Sequence, residues 1–323
     1  MPTPPESTSA SSREILAAAV PGLLVCTDDG ATRLFEFGRS VLAFRDGELA
    51  YEVGGNLGTV RRVDLAGARR PLMGSPRIDP ITGELHLLTY PSDEGQLHVS
   101  VSPGGLTRTI RSIPNPPGTI RQLDVTRDHV VLLADGGVGV TDRTGVEART
   151  AWFPVDSSNR DLAAAQVQGD TAVVHATGPS LVRWTLHRRA ATVDCDELDP
   201  EPHSSPRTNR RPPDGAHRYL WTVGSGALHK HDLVTGAHWR HDLVVGQNPG
   251  GLAFVADPDR PGAEDGGWLV GLVHDDARSG ADLVFLDAEH VEGPPAAVVP
   301  LPGPVPTGAW LPLARSADPS RRI

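Results

Sequence analysis

Apolar and polar residues alternate with a period of two along most of the chain, and turn residues interrupt the alternation at short intervals. The segments "SVLAFRDGELAYEV" (40–53), "GELHLLTYPSDEGQLHVSVSPGGLTRTI" (83–110) and "HVVLLADGGVGVTDRTG" (129–145) show the pattern. It continues in "TAVVHATGPSLVRWTLH" (171–187), "RYLWTVGSGALHKHDLVTGAHWRHDLV" (218–244) and "GWLVGLVHDDARSGADLVFLDA" (267–288). Each reads as strands joined by a turn rich in Gly, Asp or Ser, with Val, Leu, Thr and Trp at the half-buried positions. No stretch beyond residue 30 carries the 3.6-residue period of an amphipathic helix, and the Ala-rich run Asp161–Gln166 is brief. The polar, Pro-rich stretch 196–217 reads as a long loop between strands.

So many short hairpins in 323 residues predict an all-β domain. A sandwich is usually nearer about 100 residues, whereas a propeller closes its sheets radially and leaves few open edges. The expected architecture is a β-propeller of six or seven blades. It occupies 13–323 as a single domain, behind a disordered Pro/Ser/Thr-rich tail at 1–12.

Composition narrows the function. Gly 35 and Pro 30 fit a chain with many turns. The net charge is −10, and the nearest thing to a basic cluster, 206–218, reads as a solvated loop, so nucleic-acid binding is not expected. Two cysteines, Cys26 and Cys195, suit a reducing compartment rather than a disulfide framework. The apolar run 15–26 is broken by Pro21, is too short to span a bilayer, and lacks the basic start of a signal peptide. A cytoplasmic location with no transmembrane segment is expected. The oligomeric state is left open.

No Gly-x-Ser-x-Gly elbow, phosphate loop or Gly-x-Gly-x-x-Gly after a strand occurs, and "GGVGV" (136–140) is a turn or strand edge. His229 and His231 stand two apart, on one face of a strand, with His238 or His241 near enough to complete a zinc site. No third ligand has motif spacing, so the pair reads as a polar strand face. His175 and His187 read as isolated, satisfied histidines in strands.

Three longer segments carry a family resemblance. "GSPRIDPITGELHLLTY" (74–90) is similar to His-Pro-(Lys/Arg)-x-Asp-Pro-x-Thr-Gly-Glu-Leu of the carotenoid cleavage oxygenases. "TIRQLDVTRDHVVLLAD" (119–135) resembles their Ile-His-Asp-Phe-x-x-Thr and the strand after it. The run 264–312 follows their Trp-Leu strand, Asp-Leu-x-x-Leu-Asp-Ala strand and final Val-Pro…Gly-x-Trp. Shorter matches at 38–53, 181–186, 204–209, 217–221 and 230–236 fall in the same order.

The resemblance implies a seven-bladed propeller with iron on its axis, held by four histidines and oriented through three of them by glutamates. At the histidine positions this chain has Ser75, Arg121, Asp156 (in "DSSN", aligned through Asn159) and Thr307. At the glutamate positions it has Arg45, Ser204 and Gly251. All seven differ, and Arg121 and Arg45 bring positive charge, so no iron and no other cofactor is expected. The family's longer first stretch, before residue 38, is also missing, which predicts a ring short of strands or closed differently.

If the fold holds, Arg45, Ser75, Arg121, Asp156, Ser204 and Thr307 converge on the axis. They would either plug it with an Arg–Asp salt bridge or line a metal-free pocket. In that pocket Arg121 and Arg45 would hold a carboxylate or enolate and Asp156 would act as acid or base. The function implied is a metal-free isomerase or cyclase acting on an apolar, polyene-like small molecule in specialised metabolism. The alternatives are a non-catalytic ligand-binding or scaffold protein, and an iron dioxygenase with relocated ligands.

Overall fold

In the computed structural model the described residues are 33–38, 40–44, 47–53, 59–65, 70–73, 76–93, 95–104, 108–143, 150–209, 217–257, 259–260, 262–278 and 280–301. The tail expected at 1–12 lies outside them, as do Arg45, Ser75 and Thr307. They form six antiparallel sheets of four strands, each sheet built from strands consecutive in sequence. Blade one comprises β1 (Arg33–Phe37), β2 (Ser40–Phe44), β3 (Ala50–Val53) and β4 (Thr59–Val63). Blade two comprises β5 (Arg77–Ile78), β6 (Leu85–Leu88), β7 (Leu97–Val101) and β8 (Arg108–Ser112). Blade three comprises β9 (Ile120–Val125), β10 (His129–Ala134), β11 (Gly137–Asp142) and β12 (Thr150–Phe153). Blade four comprises β13 (Asp161–Gln168), β14 (Thr171–Thr177), β15 (Leu181–His187) and β16 (Thr192–Asp199). Blade five comprises β17 (Ser204–Arg207), β18 (Tyr219–Gly224), β19 (Ala227–Asp232) and β20 (His238–Asp242). Blade six comprises β21 (Gln247–Ala256), β22 (Gly267–Asp275), β23 (Gly280–Asp287) and β24 (Ala297–Leu301).

Middle strands such as β10 and β11 are buried along nearly their whole length. The fourth strands β16, β20 and β24 are largely exposed; β16 and β20 are mostly polar, whereas β24 exposes Val298 and Val299. The first strands lie beside one another in order, β5 by β9, β9 by β13, β13 by β17 and β17 by β21, and so surround the centre.

Side-chain packing closes the ring. Phe44 and Ala50 of blade one meet Leu85 and Val99 of blade two. Leu88 meets Ile120 and Leu132 of blade three, and Val131 and Phe153 meet Leu162 and Trp184 of blade four. Trp221 and Leu228 of blade five pack on Leu252 and Leu286 of blade six. Blade six returns to blade one through Val270, Leu272 and Leu283 against Ala43, Val41 and Tyr51. The seam between blades four and five is the thinnest, with Ala163, Leu181, Leu220 and Leu233 as its buried apolar cluster.

Two segments differ from the sequence reading. The Ala-rich run is not helical but lies in β13, where small side chains suit a first strand crowded by β9 and β17. The stretch read as a long loop contains the end of β16 and all of β17. β17 tolerates Pro206 because a first strand pairs on one side only, here with β18.

Candidate functional site

Four of the residues assigned by resemblance fall within the described residues. Arg121 is the second residue of β9. Its Nη2 donates to the Ser157 carbonyl at 2.7 Å and its Nη1 to the Arg160 carbonyl at 3.4 Å. Its Nε lies 2.8 Å from Asp135 Oδ1. Asp156 is exposed, and its carboxylate accepts from the Ser158 backbone N–H at 3.3 Å and from the Ser158 hydroxyl. Those two bonds hold its carboxyl below the usual carboxylate range. Of the two axial alternatives, the salt-bridge plug is not formed between Arg121 and Asp156, because Asp156 turns back on its own loop while Arg121 pairs with Asp135. "DSSN" is a turn, with Asn159 at φ 54° in the left-handed region that Asn tolerates. Ser204 opens β17, exposed, and its hydroxyl donates to the Val223 carbonyl at 3.4 Å. Gly251 is buried in β21.

Other polar side chains, most of them at the first strands, also join neighbouring blades. Gln122 takes the Leu162 N–H at 2.6 Å and gives its own amide to Asp161 at 2.5 Å, tying β9 to β13. Arg207 Nε donates to the Leu252 carbonyl at 2.5 Å, tying β17 to β21. Gln96 exchanges two bonds with the Ile120 backbone, at 2.6 and 2.8 Å. Arg77 Nε stands 3.9 Å from Asp124. These contacts satisfy backbone groups that the centre of a ring would otherwise leave dry and unpaired.

The seam between blades four and five is filled by histidine. Strand periodicity places His229 and His231 on one face of β19. The pairings His231↔His238 and Thr222↔His229 bring His238 of β20 and Thr222 of β18 to that same face. His241 pairs with Leu228 and falls on the other side. Asp199 closes β16 on the neighbouring blade, and His203 follows in the short connection to β17.

One ligand atom from each of Asp199, His229, His231 and His238 lies within 4.8 Å of the other three. His229 Nδ1 is 2.8 Å from His238 Nε2. Thr222 Oγ1 is 3.1 Å from His231 Nε2 and 3.0 Å from His203 Nδ1, and His203 Nε2 is 3.2 Å from Asp199 Oδ2. Burial, followed by the neighbouring His203 and His238, pushes the imidazole of His229 down to about 4 and that of His231 to about 3. Burial raises the Asp199 carboxyl, but the Glu201 N–H and His203 outweigh it and hold it low. His229 and His231 are therefore held neutral beside a carboxylate, the protonation states in which these groups ligate transition metals.

The sequence offered His229 and His231 with His238 or His241 and read the pair as a polar strand face; β19 is instead buried along its length, and Asp199, which ends the preceding blade, and His203, in the connection that follows it, were not singled out. His175 and His187 behave as read: His175 accepts from Arg183 Nε at 3.2 Å, and His187 pairs with Asp194 at 2.9 Å. A second cluster, Asp79, Glu84 and His86, sits between blades two and three. Arg143 already occupies it, 2.5 Å from Asp79 and 2.6 Å from Glu84.

Comparison with known proteins agrees with this architecture. Residues 138–310 match the family model described as retinal pigment epithelial membrane protein. Two curated carotenoid cleavage oxygenases, from two strains of Mycobacterium tuberculosis, are 34% identical over 154 residues, covering 42% of this chain. The match spans only 29% of the length of those relatives. Among solved structures, a mutant of the Synechocystis apocarotenoid oxygenase superposes with a TM-score of 0.77 at 20% identity, over 87% of this chain and 74% of that one. The cobalt-substituted form of that Synechocystis protein gives 0.75 at 21% identity, over 86% and 73%. No helix among the described residues is long and apolar enough to cross a membrane. Six radial sheets and a family match over more than half of the 323 residues lead to one conclusion: the chain belongs to the retinal pigment epithelial membrane protein family, that of the carotenoid cleavage oxygenases.

Proposed function

We propose that this chain is a carotenoid-oxygenase-type propeller with no iron on its axis, and that it binds an apolar, polyene-like small molecule without cleaving it. The observation that carries the reading is Arg121. At the position where the resemblance expects a histidine, a guanidinium is committed to two carbonyls and Asp135. It has no lone pair to give a metal, and its charge repels one. Ser204 and Gly251, at two of the glutamate positions, offer no carboxylate. Iron does not fit these side chains. The apolar ligand is inferred from the family.

The isomerase or cyclase reading is supported less well. It needs Asp156 as a proton-transferring group, and that carboxylate is exposed and engaged by Ser158. Cys195, a free and exposed thiol, suits a reducing cytoplasm.

The test is incubation of the full chain with a carotenoid and with an apocarotenal, in the presence of Fe(II) and oxygen. Quenching of tryptophan fluorescence reports binding, and mass spectrometry reports the products. Saturable quenching with the polyene intact is expected. Aldehyde fragments would return iron-dependent cleavage, a rearranged product of unchanged mass would establish the isomerase reading, and the absence of saturable binding would remove the ligand.

A further inference from the structure

Asp199, His229, His231 and His238 sit on β16, β19 and β20, none of them a first strand, and nothing in the axial reading uses them. Burying Asp199, His203, His229 and His231 at the seam between blades four and five forfeits the apolar packing that Val131, Phe153 and Leu162 supply between blades three and four. Hydrogen bonds recover only part of that loss: His229 Nε2 is buried with no hydrogen-bond partner. Room for its ring exists because residue 224 is glycine. A Cβ there would collide with His229 Nε2.

We propose that Asp199, His229, His231 and His238 form a binding site for one divalent transition-metal ion of the zinc class, clamping blade four to blade five. Three imidazoles and a carboxylate are a tetrahedral zinc donor set. Their ligand atoms, within 4.8 Å of one another, need only side-chain adjustment to close on an ion at about 2.0–2.2 Å. Outer partners are already in place. Thr222 engages His231 Nε2, which leaves Nδ1 of that ring as its donor, and His203 backs Asp199. Arg240 is the cation on the same strand face, and Asp242 at 2.5 Å and Glu201 at 3.6 Å offset its charge. His238, 36% exposed at its side chain, gives the ion a route from solvent. Because Asp199 belongs to blade four and the histidines to blade five, the ion would cross-link two sheets with little apolar contact between them.

The experiment uses the full chain, purified without a histidine tag, stripped with a chelator, exposed to ZnCl2 and desalted. Elemental mass spectrometry should find about one zinc per chain. Thermal unfolding should shift upward by roughly 5 °C with zinc at a hundredfold excess over its dissociation constant. Asp199→Asn, which keeps the shape of the side chain, and His238→Gln, on the exposed side, should each lower retained zinc at least tenfold with the circular dichroism spectrum unchanged. His187→Gln, outside the seam, should leave retention as it is. Retention below a tenth of an equivalent in the unmodified chain, or retention unchanged in Asp199→Asn and His238→Gln, would overturn the site. Neither result bears on the axial reading, in which the loss of iron rests on Arg121 and the apolar ligand on the family.

Discussion

Arg143 Nη2 lies 2.5 Å from Asp79 Oδ2 across the seam between blades two and three, with the two side chains only 11% and 3% exposed. The same guanidinium also reaches Glu84 at 2.6 Å and the Thr82 hydroxyl at 3.1 Å. A buried pair is costly to break from one side, because the remaining charge is stranded. Arg143→Met should therefore lose about 3–5 kcal/mol of stability in urea unfolding. The double variant Arg143→Met/Asp79→Leu should lose less than the sum of the single changes.

Arg121 is expected to matter through shape more than charge. Arg121→Ala removes two bonds to carbonyls and should cost about 1–3 kcal/mol in urea unfolding. Arg121→Lys keeps the charge, but a single ammonium replaces the planar fork that serves Ser157, Arg160 and Asp135 together. It should recover less than half of the loss.

Acid should weaken the ring well before its carboxylates titrate. Burial pushes the imidazoles of His98 and His175 down to about 3 and that of His86 to about 4. In the unfolded chain the same groups take up protons near about 6.5. Their contribution is therefore complete above about pH 6.5 and is lost as pH falls from there toward about 3–4. Each should cost about 1 kcal/mol per pH unit over that window, read as falling urea midpoints between about pH 7 and 5. His175→Leu should flatten the slope.

Gly224→Ala separates space from backbone freedom. Gly224 stands at the end of β18, and a methyl there must displace the His229 ring. The change should cost about 1–3 kcal/mol through overpacking, and retained zinc should fall with it. Gly226→Ala, two residues on, meets nothing within 4 Å but sits at φ 67°, so it should cost stability without touching zinc.

The hairpins were legible because their signal is local. Alternation in 129–145 led directly to β10 and β11, paired from His129↔Asp142 to Ala134↔Gly137. First strands were harder to read. In β13 the run Ala163, Ala164 and Ala165 carries no alternation, and β17 holds Pro206, since both strands are shaped by neighbouring blades rather than by their own period. The seam histidines show the same limit. His231 and His238 meet through a hairpin register that the sequence displays, whereas Asp199 and His203 meet them only because blade four packs on blade five.

Every described sheet consists of strands consecutive in sequence, and blades one and six meet through side chains such as Val41 and Tyr51 against Val270 and Leu283. Strand pairing within each blade therefore joins neighbours in sequence, and each blade can form from its own hairpins. The exception is the joint between residues 41–53 and 255–301, whose loop-closure entropy is the largest in the molecule. The expected order is therefore local formation of blades followed by docking of blade six on blade one, checked by stopped-flow refolding. Substitutions at Val41 or Leu283 should speed unfolding while leaving the early phases of refolding unchanged.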